Sequence, residues 1–426
     1  MFIHEYHNWP CFTWDHDIID ILQQEAMRRM GYLAGRMSAI GFDSQLAATV
    51  ESVTSDVVAS SQIEGVCLDT DEVRSSVARK FGLQLLKSKD PTHYVEGIVE
   101  MMLDATQNKD RVLTQQRLFK WHRQLFPYNV DISVGCYRTD EMSVVSGTFG
   151  RERIHYRAPS PDRVEEEMDR FIRWMNDPGN SPSILKSAIA HLWFVSIHPF
   201  DDGNGRIGRA IADMVLASID ESNMRFYSFS RELLKNRDHY YKVLERTQRG
   251  SGDLTEWLEW YLKSLISAFE DSNAMLSQVL RKAVFWNTHS QANISQRQRM
   301  VLNKYLDGYD AKITVKNWAK LADVSKDTAL RDINSLVGQN ILKATPGRVR
   351  DIPYSICYSS DTSSNASYFS EVAIKCEGRG HLITAKYKNS SEVHDKVSDI
   401  DMKRLNDGEI SIEDLAYKHF AYLLNP

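Results

Sequence analysis

The stretch His198 to Arg209 reads HPFDDGNGRIGR and concentrates groups that can handle a phosphate. Gly203 and Gly205 flank Asn204, and a helix is expected to begin at about Gly205. A glycine-flanked turn that opens onto a helix N-terminus leaves several backbone N–H groups without intrahelical partners, which makes a nest for an anion. Arg206 and Arg209 lie three residues apart, so both fall on one face of that helix, and each can fork onto phosphate oxygens. Asp202 adds one hard oxygen ligand beside the nest. Magnesium commonly takes one or two carboxylates together with substrate phosphates, which suits a single aspartate there. His198 is the side chain of the set that can accept a proton near neutral pH, and a proton acceptor beside a phosphate points to an attacking hydroxyl. Phe200 is expected to anchor the loop in the core. A histidine alone at a helix end would be read as a satisfied core residue; the combination makes a site the better reading.

These groups need elements to hold them. Ile184 to Ile197 is apolar nearly all round, as befits a helix buried in a bundle, and it delivers His198 before Pro199 stops it. Leu46, Val50, Val53 and Val57 recur at helical spacing, as do Met168, Phe171, Ile172 and Met175. Leu254 to about Val284 reads as a long helix. The exception in this helical region is Tyr137 to Pro159, where Val144–Val145 and Ile154–Tyr156 are short β-prone runs with turn residues at Ser146-Gly147 and Phe149-Gly150 between them. It reads as a β-hairpin, either a clamp beside the site or a plain surface excursion.

Trp286 to Asn293 is polar and unpatterned, and is expected to be a linker. Ile294 to about Tyr354 then shows helix, turn and a Ser325-capped helix to Val337, followed by a basic β-prone segment with Pro346-Gly347: a winged helix-turn-helix pattern. Residues 294–350 carry eleven Lys and Arg against five Asp, a local balance of +6 in a chain whose net charge is −5. That contrast is the electrostatic footprint expected of a DNA-binding unit. Residues 359–426 start with a Ser-rich spacer, continue as a hairpin, EVAIKCEGRGHLITAKY, and end in a helix near Ile412 to Leu424. No chemistry is legible there.

Bulk properties exclude several classes. A chain of 426 residues should form two to four domains at roughly 100–200 residues each. The 42% hydrophobic and 26% charged residues are ordinary for a globular protein. Five scattered cysteines, Cys11, Cys67, Cys136, Cys357 and Cys376, with no CxxC pair, speak against a disulfide framework or zinc site and fit a reducing cytoplasm. The first residues lack a signal-peptide pattern, and no run of about 20 apolar residues occurs, so a cytoplasmic protein without membrane contact is expected.

The segment at 198–209 resembles the Fic family, whose motif is HxFx(D/E)GNGRxxR; His198, Phe200, Asp202, Gly203, Asn204, Gly205, Arg206 and Arg209 meet every defined position. The resemblance spans roughly residues 45–275 and implies a mainly α fold: a Fic helical bundle whose hairpin at 137–159 is the flap that aligns the target segment. The winged helix is a common companion of this core. The expected domains are an N-terminal helical region (1–100), the catalytic core (101–285), the winged helix-turn-helix (294–355) and a small α/β C-terminal segment (359–426). The resemblance also implies an activity, transfer of AMP from ATP to a Ser, Thr or Tyr hydroxyl of a protein. By carry-over, His198 is the general base and Asp202 holds Mg2+. Gly203, Asn204, Gly205 and Arg206 bind the α- and β-phosphates, Arg209 meets the γ-phosphate, and Ile207 and Gly208 complete the ATP-binding run. Tyr240 and Tyr241, core aromatics by default, lie beside the adenine in the family, with Gln248 nearby.

Ser60 to Gly65, SSQIEG, ends a helix expected over about 46–65, and Gly65 reads as its C′ residue. Glu64 therefore faces an unfavourable helix dipole, worth about 0.3–1 kcal/mol. On that ground alone it is an ordinary surface glutamate. The family, however, carries an inhibitory motif, (S/T)xxxE(G/N), which Ser60, Glu64 and Gly65 match. The resemblance implies that Glu64 pairs with Arg209, removing the charge meant for the γ-phosphate, while Ser60 fixes the helix end. It also admits the reverse reaction, with Glu64 positioning a water to remove AMP.

A second reading is a DNA-binding regulator with a nucleotide-sensing Fic core. Lys326, Asp327 and Arg331 would lie on the exposed face of the recognition helix, with Arg348 and Arg350 on the wing. The alternatives for this unit are protein binding and homodimerisation. A third reading, a toxin-like kinase, is disfavoured by the complete Gly-Asn-Gly.

Overall fold

The computed structural model describes residues 1–38, 42–83, 88–128, 131–147, 153–219, 225–306, 308–345, 352–358, 369–377, 380–387 and 391–397, with Met402 and Leu405. The chain divides into two compact units, Met1–Ser272 and Asn273–Pro426.

The first unit is mainly helical. It runs α1 (His16–Ser38), α2 (Phe42–Ile63), α3 (Thr70–Lys80), α4 (His93–Gln107), α5 (Gln115–Leu125), β1 (Ser143–Ser146), β2 (Arg153–Arg157), α6 (Pro161–Asn176), α7 (Ile184–Ile197), α8 (Asn204–Ile219), α9 (Phe229–Lys235), α10 (Arg237–Gln248) and the start of α11 (Thr255–Thr288). At the centre is α7. Ser183 caps its N-terminus by accepting from the Lys186 amide at 3.0 Å, and its apolar residues are buried on every side, as their all-round pattern predicts. Gly208 lets α8 approach it: a β-carbon there would stand 2.8 Å from Val195 Cγ1. The face of α2 formed by Leu46, Val50 and Val57 is buried, and Met168 and Phe171 of α6 are likewise in the core.

The expected hairpin is present. Strands β1 and β2 pair antiparallel with Ser143 opposite Arg157 and Ser146 opposite Arg153, and the register slips between Val144 and Val145. Ser146 and Gly147 are described, with Gly147 at φ +110°, while Phe149-Gly150 lies outside the described residues.

The second unit begins within α11 and continues through α12 (Gln296–Leu306), α13 (Val315–Ala322), α14 (Lys326–Gly338), β3 (Leu342–Ala344) and β4 (Tyr354–Ile356). Its core gathers Phe285, Leu302, Trp318, Ile333 and Leu336. The linker expected at Trp286–Asn293 is corrected: α11 runs to Thr288, Phe285 is fully buried, and Trp286 donates to Asn303 Oδ1 at 3.0 Å. Two aromatics side by side pin this stretch to the core despite its polar surroundings. Ser325 caps α14, and Lys326, Asp327 and Arg331 are exposed on it. Arg348, Arg350 and Pro346-Gly347 lie outside the described residues.

Beyond Cys357, the expected hairpin is part of a three-stranded antiparallel sheet in the order β5 (Phe369–Glu377), β6 (Gly380–Tyr387), β7 (Ser391–Val397). The third strand, SEVHDKV, has too few apolar residues to announce itself. The Ser-rich spacer and the helix expected near 412–424 fall outside the described residues. Among the described residues, no helix is long and apolar enough to cross a membrane.

Candidate active site

The loop between α7 and α8 is tied down from several sides. His198 caps α7 in the left-handed conformation, φ 52° and ψ 59°. A non-glycine residue adopts that region only where its surroundings impose it. Here the restraint is Arg138, which is 2% exposed. Its Nε donates to the His198 carbonyl at 2.7 Å, Nη1 to Asp140 O at 2.8 Å and Nη2 to Pro159 O at 2.5 Å. One guanidinium thus joins the His198 backbone to both ends of the hairpin region.

The His198 ring is fixed as well. Nδ1 lies 3.1 Å from the Val195 carbonyl. A carbonyl only accepts, so Nδ1 carries the proton and Nε2 keeps its lone pair. Burial lowers the His198 pKa; the Val195 carbonyl and nearby carboxylates oppose this only in part. The result is a neutral imidazole with its basic nitrogen free.

Asn204 clasps the loop: Oδ1 accepts from Phe200 N at 3.0 Å and Nδ2 donates to Phe200 O at 2.7 Å. This uses Oδ1 and one of the two Nδ2 hydrogens, and fixes the side chain across the loop. Phe200 is fully buried and stacks on His122, ring centroids 4.3 Å apart. Nδ1 of His122 accepts from the Gly135 amide at 2.9 Å, so its Nε2–H donates to the Asp202 carbonyl at 3.1 Å. Gly203 takes φ +82°, and a β-carbon there would meet the Phe126 ring at 2.9 Å. The first α8 amide to find a carbonyl is that of Ile207, bonded to Gly203 O at 3.0 Å.

Arg206 donates to Tyr94 at 3.1 Å and lies 3.6 Å from Asp202, and its buried Nε has no partner among the described residues. The Asp202 side chain is 60% exposed at the mouth of the loop. A single exposed carboxylate fits a magnesium ion held jointly with phosphates rather than by protein alone. Among the described residues, no three His, Cys, Asp or Glu side chains group to hold a metal. Ile207 is fully buried, and Gly208 lets α8 approach Val195 of α7 closely.

The end of α2 lies against this loop. Gly65 takes φ +82°, and the Val66 amide reaches back to Ser61 O, closing the helix. Glu64 Oε1 lies 2.7 Å from Arg209 Nη2. Arg209 is 1% exposed. Ser60 does more than fix the helix end: its Oγ accepts from Arg209 Nε at 2.9 Å and its carbonyl from Nη2 at 2.8 Å. Burial would raise the Glu64 pKa, but the charge and hydrogen bond of Arg209, with Arg206 behind, hold it below the usual carboxylate range. The carboxylate also lies over Gly205, where a β-carbon would come within 2.1 Å of Oε1. An anion thus already occupies the start of α8.

Tyr241 joins this cluster, its hydroxyl 3.5 Å from Glu64 Oε2, while Arg237 donates to the Ile63 carbonyl at 2.7 Å. Tyr240 is buried, its hydroxyl 2.9 Å from His191 Nε2. Gln248 donates to Ser196 Oγ, two residues before His198, at 3.1 Å.

Arg138, His122 and Tyr94 escaped the sequence reading. His122 left a trace: it sits among Leu118, Trp121 and Leu125 on the buried stripe of α5, where a histidine needs partners. Arg138 and Tyr94 left none.

Comparison with known proteins bears on this geometry. Residues 112–216 match the Fic/DOC family, and residues 2–83 match a domain of unknown function, DUF4172. A Fido domain-containing protein of Dictyostelium discoideum is 30% identical over 122 residues, covering 28% of this chain and 74% of its own length. A probable protein adenylyltransferase of Aquifex aeolicus is 22% identical over 196 residues, 46% of this chain and 55% of the relative. The chain therefore spans about half the length of that relative. A Fic family protein from Desulfovibrio desulfuricans, 18% identical, aligns over 80% of this chain and 96% of its own with a TM-score of 0.47. The motif at 198–209, its place between two packed helices and the match to most of the Dictyostelium protein together show that the chain belongs to the Fic family.

Proposed function

We propose that this chain is a protein adenylyltransferase that restrains itself through Glu64. The observation that carries the reading is the neutral His198 ring, its Nε2 lone pair free, beside the amide-lined start of α8. His198 Nε2 takes the proton of a target Ser, Thr or Tyr hydroxyl. The hydroxyl oxygen attacks the α-phosphorus of ATP. The bond from that phosphorus to its bridging oxygen breaks, and pyrophosphate leaves with the electron pair. The Asn204, Gly205 and Arg206 amides and the Arg206 guanidinium hold the phosphates. Magnesium, held by Asp202 with those phosphates, would neutralise charge on them. In this reading Tyr240 and Tyr241 lie beside the adenine, with Gln248 nearby, as the family resemblance implies.

In the brake, the Glu64 carboxylate holds Arg209 and lies over Gly205, so a triphosphate must displace it to engage both. Relatives named as protein adenylyltransferases support the reaction class. The test is mass spectrometry of purified Glu64→Gly protein after incubation with each nucleoside triphosphate and magnesium. A gain equal to one AMP on a hydroxyl side chain, from ATP, is expected. A phosphate gain, or none, would overturn the assignment.

DNA contact by the second unit is a separate reading. It is favoured by the exposure of Lys326, Asp327 and Arg331 along α14, and it does not depend on the transferase.

A further inference from the structure

The residues matched to a domain of unknown function start at residue 2, far in sequence from the brake. Phe2 sets the edge of its ring against Tyr156 of β2, centroids 5.2 Å apart. His4, 7% exposed, places Nδ1 3.1 Å from the Tyr156 hydroxyl. That hydroxyl donates to the Ser196 carbonyl at 2.7 Å. Its one proton is thereby used, so His4 Nδ1–H is the donor to Tyr156. Burial lowers the His4 pKa, which suits a neutral ring in this role. Ser196 lies two residues before His198, and its Oγ accepts from Gln248. Arg249 closes the circuit, with its guanidinium over the Phe2 ring at 5.2 Å and Nη2 donating to Ile154 O of β2 at 2.5 Å. The segment is itself anchored: Trp9 Nε1 donates to Glu167 Oε2 at 2.9 Å, and Asn8 to Ser251 O at 2.9 Å.

From this network we infer that residues 2–9 are a strap that sets the hairpin against the His198 end of α7, with Phe2, His4 and Tyr156 as positioning residues for attack on the target hydroxyl. Tyr156 is the joint, because it is 1% exposed and the strap reaches Ser196 through it. A hairpin of two strands joined by so few pairs is marginal without an external support. Here the supports are the strap, Arg138, and α10, whose Glu245 accepts from Arg153 and His155 at 2.8 Å each. The matched region 2–83 then acts at two points: its first residues hold the hairpin, and its Ser60 and Glu64 hold Arg209. The inference rests on the transferase reading for its catalytic consequence, though not for its structural one.

The test uses the full chain in the Glu64→Gly background, with His4→Ala, Tyr156→Phe and His4→Asn added singly. Hydrogen exchange of the 153–157 amides is read beside AMP transfer to the chain's own hydroxyl. His4→Ala and Tyr156→Phe are expected to speed exchange in β2 at least tenfold and to lower kcat about tenfold, with KM for ATP within twofold. His4→Asn, which can present an amide N–H near the Nδ1–H position, is expected to restore most of both. Unchanged β2 exchange in both His4→Ala and Tyr156→Phe would overturn the strap. Faster exchange with undiminished kcat would overturn its positioning role, and so would a rise in KM that accounts for the whole loss. If the Glu64→Gly parent transfers nothing, the transferase reading fails, and exchange alone still decides the strap.

Discussion

Arg209 is bound by Glu64 at 2.7 Å, with Ser60 supplying two more acceptors to the same guanidinium, so its Nε and Nη2 are turned to α2 rather than to a ligand. Its buried Nη1 has no hydrogen-bond partner among the described residues. An arginine so engaged presents its Nε and Nη2 to a phosphate only after α2 gives them up. In the proposed brake, Glu64 and a phosphate compete for one cation at the start of α8.

Gly205 separates the two halves of this competition. A methyl group there would overlap the Glu64 carboxylate and also occupy the nest. Gly205→Ala is therefore expected to loosen the Glu64–Arg209 pair without releasing activity, whereas Glu64→Gly releases it. Transfer assays on Gly205→Ala and on Glu64→Gly/Gly205→Ala check this: both should stay at least tenfold below Glu64→Gly alone. A Gly205→Ala protein as active as Glu64→Gly would show that the nest is not used.

The pH profile follows from the pKa directions. His198 is held below its ordinary value of about 6.5, so the base is fully available at pH 7 to 8. Removing Glu64 takes away a charge that raises it and moves it lower still. In Glu64→Gly, kcat should be flat above pH 7 and fall only well below pH 6.5. Glu64 is itself held below its ordinary range, so it stays charged down through pH 5, and its pairing is lost only as pH falls through that depressed value. Mild acid should not activate the parent protein. Rates at pH 5 to 8.5 test both statements, and an acid-activated parent would contradict the second.

Arg138 bonds three carbonyls on one buried guanidinium, and such charge-assisted bonds are worth roughly 1.5–3 kcal/mol each. Arg138→Ala should destabilise the first unit by on the order of 3 kcal/mol or more and abolish transfer. Arg138→Lys supplies one donor group for three sites and should recover only part of the stability. Denaturant unfolding of the two variants checks the order.

A second buried cluster ties α2 to α8. Arg225 lies 2.7 Å from Asp213 and 3.8 Å from Asp56. Burial, with Asp56 nearby, pushes the Asp213 carboxyl up to about 8 against the pull of Arg225. Its unfolded value is about 3.9, so the folded chain holds the extra proton between those limits. The stabilisation this gives is complete below the unfolded value and is lost as pH rises through about 8. Asp213→Asn keeps a neutral side chain, so wild type should lose stability relative to it as pH rises, by at most about 1.4 kcal/mol per pH unit. Thermal unfolding of both proteins at pH 5, 6.5 and 8 measures this, and a constant difference would contradict it.

What the sequence made legible is what local pattern controls. The all-round apolar run of α7, the Gly-Asn-Gly turn and the helix end at Gly65 each follow from a few neighbouring residues, and the structure has them where expected. The restraints on His198 were not legible, because they come from afar. Arg138 is 60 residues away and His122 is 80 residues from the Asp202 carbonyl that it holds. No periodicity connects such pairs. Asn204 shows the same limit: its type suggested a ligand contact, and only the fold reveals that its side chain is used on Phe200. Trp286 failed as a linker residue for the same reason, since its packing depends on a core assembled from residues further along the chain.

The most direct test of the central claim is transfer of label from α-labelled ATP in the presence of magnesium, with wild type, Glu64→Gly and Glu64→Gly/His198→Ala compared side by side. Little label on wild type, at least tenfold more on Glu64→Gly and none on the folded double variant is the predicted result. Equal labelling of wild type and Glu64→Gly would contradict the brake, and labelling of the double variant would contradict His198 as the base.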